Sequence, residues 1–221
     1  MEASSAVSNL PELSPAFHPL CIADPGDVPP SPEQLVSIIT LLQQADICCC
    51  FVQEYGLNYY GARRVTNAMP IGRTDFWLLL PASYCYIICE PDNIEWSQGN
   101  LPYPKLPGFV QSLLDTKQYV DLCDLIDGQD LSEEWGIEHL DLSGNSDTKW
   151  LEWLIQGMRD DGIEDIHIFI DAKPVSRLDS WKKYITTKQT RMGWKYSPEI
   201  YATRFRKVGS KDPRTRNKPG L

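Results

Sequence analysis

Apolar residues first recur at helical spacing in the segment SPEQLVSIITLLQQADI, which begins at Ser31. Ser31 suits the N-cap of this helix, Pro32 suits its first position, and Gln34 completes a capping box. The apolar residues that would share one face are Leu35, Ile38, Ile39 and Leu42. The pattern therefore predicts an amphipathic helix at the start of the folded part of the chain.

Three short apolar runs predict buried strands. They are ICCCFV (47–52), DFWLLLP (75–81) and YCYIICEP (84–91). Runs that are apolar throughout are typical of strands covered on both faces. Between the first two, YGLNYYGA predicts a short helical turn that ends at Gly61. A small sheet of about three strands follows from this pattern, and the alternating run IHIFI (166–170) could add another strand.

Helical spacing dominates the chain after Pro104. The segment KLPGFVQSLLDTKQYVDLCDLI carries apolar faces made of Phe109, Val110, Leu113 and Leu114, and then of Val120, Leu122, Leu125 and Ile126. A capped turn is predicted in DLSEEWG, and further helices in TKWLEWLIQGMRDDG and VSRLDSWKKYITTKQTRMGW. The predicted fold class is α+β, with a small mixed sheet flanked by helices and a helical C-terminal half.

The same pattern divides the chain into four parts. Residues 1–30 are rich in proline and predict an extended leader, and residues 31–103 predict a partial α/β core. Residues 104–207 predict a helical region packed on that core. Residues 208–221 are rich in Gly, Pro and Lys or Arg and predict a basic flexible tail.

Charge is distributed unevenly along the 221 residues, whose formal net charge is −9. Residues 1–180 contain 9 Lys and Arg against 28 Asp and Glu, whereas residues 181–221 contain 12 against 2. The basic region either docks on the acidic body or is solvated, or it contacts nucleic acid or another polyanion through residues 182–218. An acidic body also offers a docking surface for a protein partner.

No apolar run reaches the ~18 residues that a membrane helix requires, so we expect a cytoplasmic or nuclear protein with no membrane partner. Seven cysteines, an odd number in apolar surroundings, are interpreted as reduced, buried thiols. Adjacent cysteines on a strand point to alternate faces, so Cys48, Cys49 and Cys50 do not predict a metal site. Cys85 and Cys89 have no paired histidine nearby, and the three histidines, His18, His139 and His167, are isolated in sequence.

The segment DLCDLIDGQDLSEEWGIEHLD is acidic, but its spacing does not match a calcium loop. Leucines interrupt the acids at helical intervals, which favours a solvated face of amphipathic helices. The acids concerned are Asp121, Asp124, Asp127, Asp130, Glu133, Glu134, Glu138 and Asp141.

The stretch NYYGARRVTNAMPIGRTDFWLLLP, together with LPYPKLPGFVQSLLDT, TKQTRMGW and YATRFRKVGSKDPR, resembles a large family of fungal proteins with a nucleotidyltransferase-like fold. In that family a small-residue turn is followed by R-x-x-x-D-x-D, whose two carboxylates hold a divalent metal with a third from a later strand. In this chain Gln53 and Glu54 replace the two small residues of that turn, and residues 68–70 are Ala-Met-Pro where the family has Asp-x-Asp. The step from Asn67 to Asp75 is also too short to contain the usual metal-bearing strand.

The resemblance implies a nucleotidyltransferase-like fold that lacks its metal centre, either because the protein is a genuine shortened paralogue or because the gene product is incorrectly predicted. We expect a non-catalytic protein that binds a protein or a nucleotide, with Arg63 and Arg64 as candidate phosphate contacts and no cofactor. The alternative is a metal-dependent nucleotidyl or phosphoryl transferase with an altered Mg²⁺ site, in which Asp75 and Glu54, with Glu90, converge on the ion. A second alternative is a nucleic-acid binder that works through the basic C-terminal region.

Overall fold

A computed structural model of the chain describes residues 32–64, 90–147 and 173–215, together with residues 150, 152, 155, 156 and 159, which are helical. Seven α-helices have defined bounds in this part of the chain. They are α1 (Pro32–Gln44), α2 (Gln53–Tyr59), α3 (Leu106–Asp115), α4 (Tyr119–Gln129), α5 (Glu133–His139), α6 (Arg177–Thr186) and α7 (Lys188–Met192). Among the described residues, no helix is both long and apolar enough to cross a membrane.

Two short strands form an antiparallel hairpin that the sequence pattern did not predict. Strand β1 (Ile94–Trp96) pairs with β2 (Pro102–Pro104), and Glu95 lies opposite Tyr103. Tyr103 is fully buried, and its ring stacks on Tyr59 of α2 at a centroid distance of 4.0 Å. The hairpin therefore joins α2 to the core and, with the helices, gives a mixed α+β architecture.

The helical predictions are confirmed where the structure describes them, except that Ile38 on the predicted apolar face of α1 is exposed. Helix α1 begins at Pro32, α2 lies in the predicted turn before Gly61, and the long segment after Pro104 forms α3 and α4. Ser132 caps α5, because its hydroxyl accepts a hydrogen bond from the Trp135 N–H at 3.2 Å. The predicted apolar faces of α3 and α4 are buried, except that Val120 is exposed.

The predicted strand at 47–52 is wrong. These residues are irregular, Ile47 and Cys48 are exposed, and Cys50 to Val52 are half-buried. One backbone bond, from the Phe51 N–H to the Pro102 carbonyl at 2.9 Å, ties the segment to the start of β2. The leader 1–30 and the predicted strands at 75–81, 84–91 and 166–170 lie outside the described residues, apart from positions 90 and 91, which form no strand.

One hydrophobic cluster of the described residues connects α1, α2, β2, α3, α4 and α6. Its fully buried side chains include Leu35 of α1, Tyr60 after α2, Phe109 of α3 and Leu125 of α4. Trp181 of α6 is also fully buried, and its indole N–H donates to the Glu133 carbonyl of α5 at 3.3 Å. Helices α1 and α2 and the basic C-terminal segment (residues 181–215 of the described chain) are thus parts of one packed core.

The chain after α2 approaches α4 closely at two glycines. Gly61 adopts φ +90°, a conformation that L side chains rarely take. A Cβ on Gly128 of α4 would lie 2.6 Å from the Ala62 nitrogen, so no side chain fits there. This approach places Arg63 and Arg64 beside α4, where the candidate site is formed.

Candidate anion-binding site

Helix α4 carries three aspartates at intervals of three residues, Asp121, Asp124 and Asp127. Residues three apart lie near each other on a helix surface. Asp127 is 0% exposed and Asp124 is 5% exposed, while Asp121 is half-buried. The prediction that these acids form a solvated face is therefore wrong for Asp124 and Asp127, because arginines from distant parts of the chain cover them.

Asp127 holds two arginines of the basic C-terminal segment. Its carboxylate accepts from Arg191 Nε at 3.0 Å and Nη2 at 2.6 Å, and from Arg204 Nε at 2.7 Å. The Thr203 hydroxyl donates to the Asp127 main-chain carbonyl at 2.6 Å. Side chain and backbone of one helical residue thus fix α7 and the segment around residue 204.

Asp124 links that segment to the chain after α2. It accepts from Arg204 Nη2 through one oxygen and from Arg64 Nε through the other, the second at 2.5 Å. Arg64 Nη2 also lies 2.6 Å from Asp121, and its backbone N–H donates to the Asn58 side chain at 3.0 Å. The three aspartates and three arginines form one continuous ion-pair network.

Burial and charge act in opposite directions on the pKa values in this network. Burial lowers the pKa of Arg191, but the hydrogen bonds and charge of Asp127 outweigh it and raise the pKa above its usual value. For Arg64, burial likewise lowers the pKa, and Asp121 and Asp124 raise it by more. Burial raises the pKa of Asp121, partly offset by Arg64. Both arginines therefore stay charged.

A cavity of about 430 Å³ opens on the outer side of this network. Its cationic lining residues are Arg63, Arg191, Arg204 and Lys207, and its aromatic ones are Tyr196, Tyr201 and Phe205. The Tyr196 and Tyr201 rings meet edge to face at 5.1 Å, and Lys207 Nζ lies 5.9 Å from the Tyr201 ring centroid. The pocket combines positive charge with aromatic surface.

The hydrogen bonds of the arginines determine which donors the pocket retains. Arg191 Nε and Nη2 donate to Asp127, and Arg191 Nη1 donates to the Thr187 hydroxyl. Arg204 uses Nε and Nη2, and its Nη1 has no hydrogen-bond partner among the described residues. Arg63 and Lys207 are exposed and form no ion pair within the described part of the chain. An anion in the cavity can therefore accept from Arg63, Arg204 and Lys207.

The structure separates the predicted site residues. Arg63 lines the cavity, whereas Arg64 lies in the ion-pair network. Glu54 is in the first turn of α2 and does not line the cavity, and Asp75 lies outside the described residues. Glu90 is exposed. Among the described residues no group of three or more potential metal ligands occurs.

The prediction that the basic region docks on the acidic body is confirmed for the cations that pair with acids of α4 and with Asp130, the residue after α4. Besides Arg191 and Arg204, Lys188 binds Asp130 at 2.9 Å. In the region predicted as a flexible tail, Arg214 pairs with Asp212 at 2.6 Å and with Glu95 of β1 at 3.3 Å. Residues 216–221 lie outside the described chain.

The cysteine prediction needs correction. Cys48, Cys49, Cys50 and Cys123 are free thiols, as expected, but Cys48 is exposed and the other three are only half-buried. Burial raises the pKa of the Cys123 thiol. Residues Cys21, Cys85, Cys89, His18 and His167 lie outside the described part of the chain, and His139 is exposed.

Sequence reasoning missed most of this pocket. The signal was present as an excess of Lys and Arg interleaved with aromatic residues after position 181. This excess did not show which cations are neutralised by the acids of α4 and by Asp130, because those acids are 58 to 80 residues away along the chain. Comparisons of the chain with models of protein families, with curated proteins and with solved structures find no match.

Proposed function

We propose that the protein binds a nucleotide in the cavity beside α4 and does not transform it. The observation that carries this proposal is the set of unpaired donors on Arg63, Arg204 and Lys207, next to the rings of Tyr196, Tyr201 and Phe205. A nucleotide has the two matching parts, a phosphate that accepts charged hydrogen bonds and a flat base that stacks on aromatic rings.

The arginine geometry supports a phosphate as the anionic part. Guanidinium groups donate in a planar fork that matches phosphate oxygens. Asp124 and Asp127 hold Arg204 through two of its nitrogens, so the guanidinium that lines the cavity is positioned before any ligand binds. Little side-chain entropy is then lost on binding.

The resemblance of the sequence to nucleotidyltransferase-like proteins supports a nucleotide over other aromatic anions, and with it we propose that the fold is a shortened form of that type. The same resemblance argues against catalysis, because Ala, Met and Pro at 68–70 replace the metal-binding carboxylates. Binding should therefore not depend on Mg²⁺.

Isothermal titration of the full chain with AMP, ADP and ATP, each in EDTA and again in Mg²⁺, tests this proposal. We expect metal-independent binding, and we expect Lys207→Gln and Arg63→Gln each to weaken it about 3- to 10-fold, the loss of one partly solvated charged hydrogen bond. Lys105→Gln is the matched control, because Lys105 is exposed and does not line the cavity; it should leave the affinity unchanged.

Two results would contradict the proposal. One is the absence of heat from any nucleotide at millimolar concentration. The other is equal weakening by the pocket variants and by Lys105→Gln, which would indicate general charge attraction. Binding that requires Mg²⁺, with release of pyrophosphate, would instead support the altered transferase with Asp75 and Glu54.

A further inference from the structure

Trp194 is the most exposed large apolar residue among those that the structure describes, with 91% of its surface accessible. It follows Gly193, the C-cap residue of α7, whose φ is +64°. The Lys195 ammonium lies 5.8 Å from the Trp194 ring centroid. An indole ring is large and flat, so its exposed face can stack on another flat ring.

Trp194 is close to the proposed nucleotide pocket along the chain. Tyr196, two residues later, lines the pocket and contacts Tyr201. Two residues of chain span at most about 7 Å, so the backbone of Trp194 lies within that distance of the backbone of Tyr196. A polymer with one unit in the pocket can therefore place a neighbouring unit beside Trp194.

The surface around these aromatic residues is basic. Residues 188–215 contain eight Lys and Arg and two acids, a net charge of +6. Lys188, Arg191, Arg204 and Arg214 are paired with acids. Among Arg63 and the cations of residues 188–215, the exposed ones that form no ion pair with another described residue are Arg63, Lys195, Lys207 and Lys211. They can neutralise several phosphates of one polyanion.

We propose that the pocket and Trp194 form one site for single-stranded nucleic acid. The pocket binds one nucleotide, Trp194 stacks on the base of a neighbouring nucleotide, and Lys195, Lys207 and Lys211 contact the backbone. This inference rests on the proposed nucleotide binding and extends it to a polymer. A single strand fits because its bases are free to stack on side chains, whereas the bases of a duplex are already stacked on each other.

The test compares a fluorescein-labelled oligonucleotide of eight deoxythymidines with the mononucleotide TMP, both with the full chain. We expect the oligonucleotide to bind more tightly than TMP. Its log affinity should fall against log salt with a slope of about −3, because Arg63, Lys195, Lys207 and Lys211 would each neutralise one phosphate at roughly 0.7 per contact on a single strand. Trp194→Ala should weaken the oligonucleotide about 10-fold, as for loss of one base stack, and leave TMP binding unchanged.

Trp96→Ala is the matched control, because Trp96 on β1 is also exposed and does not line the pocket. It should change neither affinity. Trp194→Phe keeps an aromatic face, so this variant should retain most of the oligonucleotide affinity of the unmodified protein. Trp194 is largely in water, so its replacement should not disturb the fold, and an unchanged melting temperature verifies this.

The outcomes separate the two proposals. If TMP binds but the oligonucleotide is no tighter, or if Trp194→Ala does not weaken it, the inference is wrong and the nucleotide pocket stands. If neither ligand binds, both are wrong. If poly-glutamate competes as well as the oligonucleotide and Trp194→Ala affects both alike, the surface binds an acidic protein and the inference is overturned.

Discussion

At the scale of single residues, Asp127 is the buried acid on which the contact between α4 and two arginines of the basic segment depends. It is inaccessible to solvent, and both its oxygens accept from arginines that lie more than sixty residues further along the chain. A buried carboxylate is costly unless charged donors surround it. Asp127 therefore stabilises the fold only as long as Arg191 and Arg204 remain in place.

Replacement of Asp127 by asparagine should destabilise the protein strongly. The side chain keeps its shape but loses its charge, so Arg191 loses its carboxylate partner and Arg204 keeps only Asp124, and we expect a loss of about 3 kcal/mol in the free energy of unfolding. Urea denaturation followed by circular dichroism measures it.

Asp130→Asn is the control for this prediction. Asp130 pairs with Lys188 at the surface, and exposed pairs contribute about 0 to 1 kcal/mol. Asp130 has φ +55°, a conformation that asparagine also tolerates, so backbone strain does not confuse the comparison. Equal costs for the two substitutions would show that Asp127 is not the centre of the network.

These residue roles could not be derived from the local pattern. Asp121, Asp124 and Asp127 have the spacing of an amphipathic helix, and such acids usually face water. Their burial depends on where Arg64, Arg191 and Arg204 lie in three dimensions. Arg63, predicted as a phosphate contact, lines the cavity, and its ligand stays a prediction.

At the scale of elements, the contact between α5 and α6 depends on one glycine. A Cβ on Gly136 would lie 2.1 Å from the Trp181 ring, far closer than atoms can approach. Trp181 is fully buried and cannot move aside without disturbing the core. The missing side chain of Gly136 therefore creates the space in which Trp181 packs.

Gly136→Ala tests this contact because packing and helix propensity predict opposite signs. Propensity alone would stabilise α5 by up to about 1 kcal/mol, whereas overpacking costs about 1 to 3 kcal/mol. We expect a lower melting temperature. Gly108→Ala in α3 is the control, because no atom lies within 4 Å of the added Cβ; it should be neutral or stabilising. A stabilising Gly136→Ala would contradict the proposed packing.

Within the described residues, the helices were predictable from the sequence and the strands were not. Periodicity over ten or more residues identifies α1, α3, α4 and α6 because each must bury one face. The run at 47–52 is apolar without being buried on both sides, and apolar runs of this length carry no period that distinguishes a strand from irregular chain. The hairpin was missed because β2 contains Pro102 and Pro104, which usually argue against a strand.

At the scale of the whole molecule, an acidic body and a basic C-terminal segment are held together by paired charges. Lys188, Arg191 and Arg204 contact acids in or next to α4, and Arg206 is 8% exposed, with its guanidinium bonded to Ser210 and to the Gly128 carbonyl. The same segment carries the pocket, so opening of the segment would also remove the ligand site.

Limited trypsin digestion under native conditions measures how often this segment opens. Trypsin cleaves after Lys and Arg and requires an accessible, locally unfolded backbone. Lys195 is exposed and Arg206 is buried, so we expect cleavage after Lys195 first and slow cleavage after Arg206. Mass spectrometry of the early fragments distinguishes the two sites.

Asp127→Asn should accelerate cleavage after Arg206 at least about tenfold, because the open population rises tenfold for each 1.4 kcal/mol of lost stability. The rate after Lys195 should change less, since that site is accessible in the closed state. Asp130→Asn should leave both rates nearly unchanged. If Arg206 is cleaved as quickly as Lys195 in the unmodified protein, the ion pairs to α4 do not hold the basic segment on the acidic body in solution.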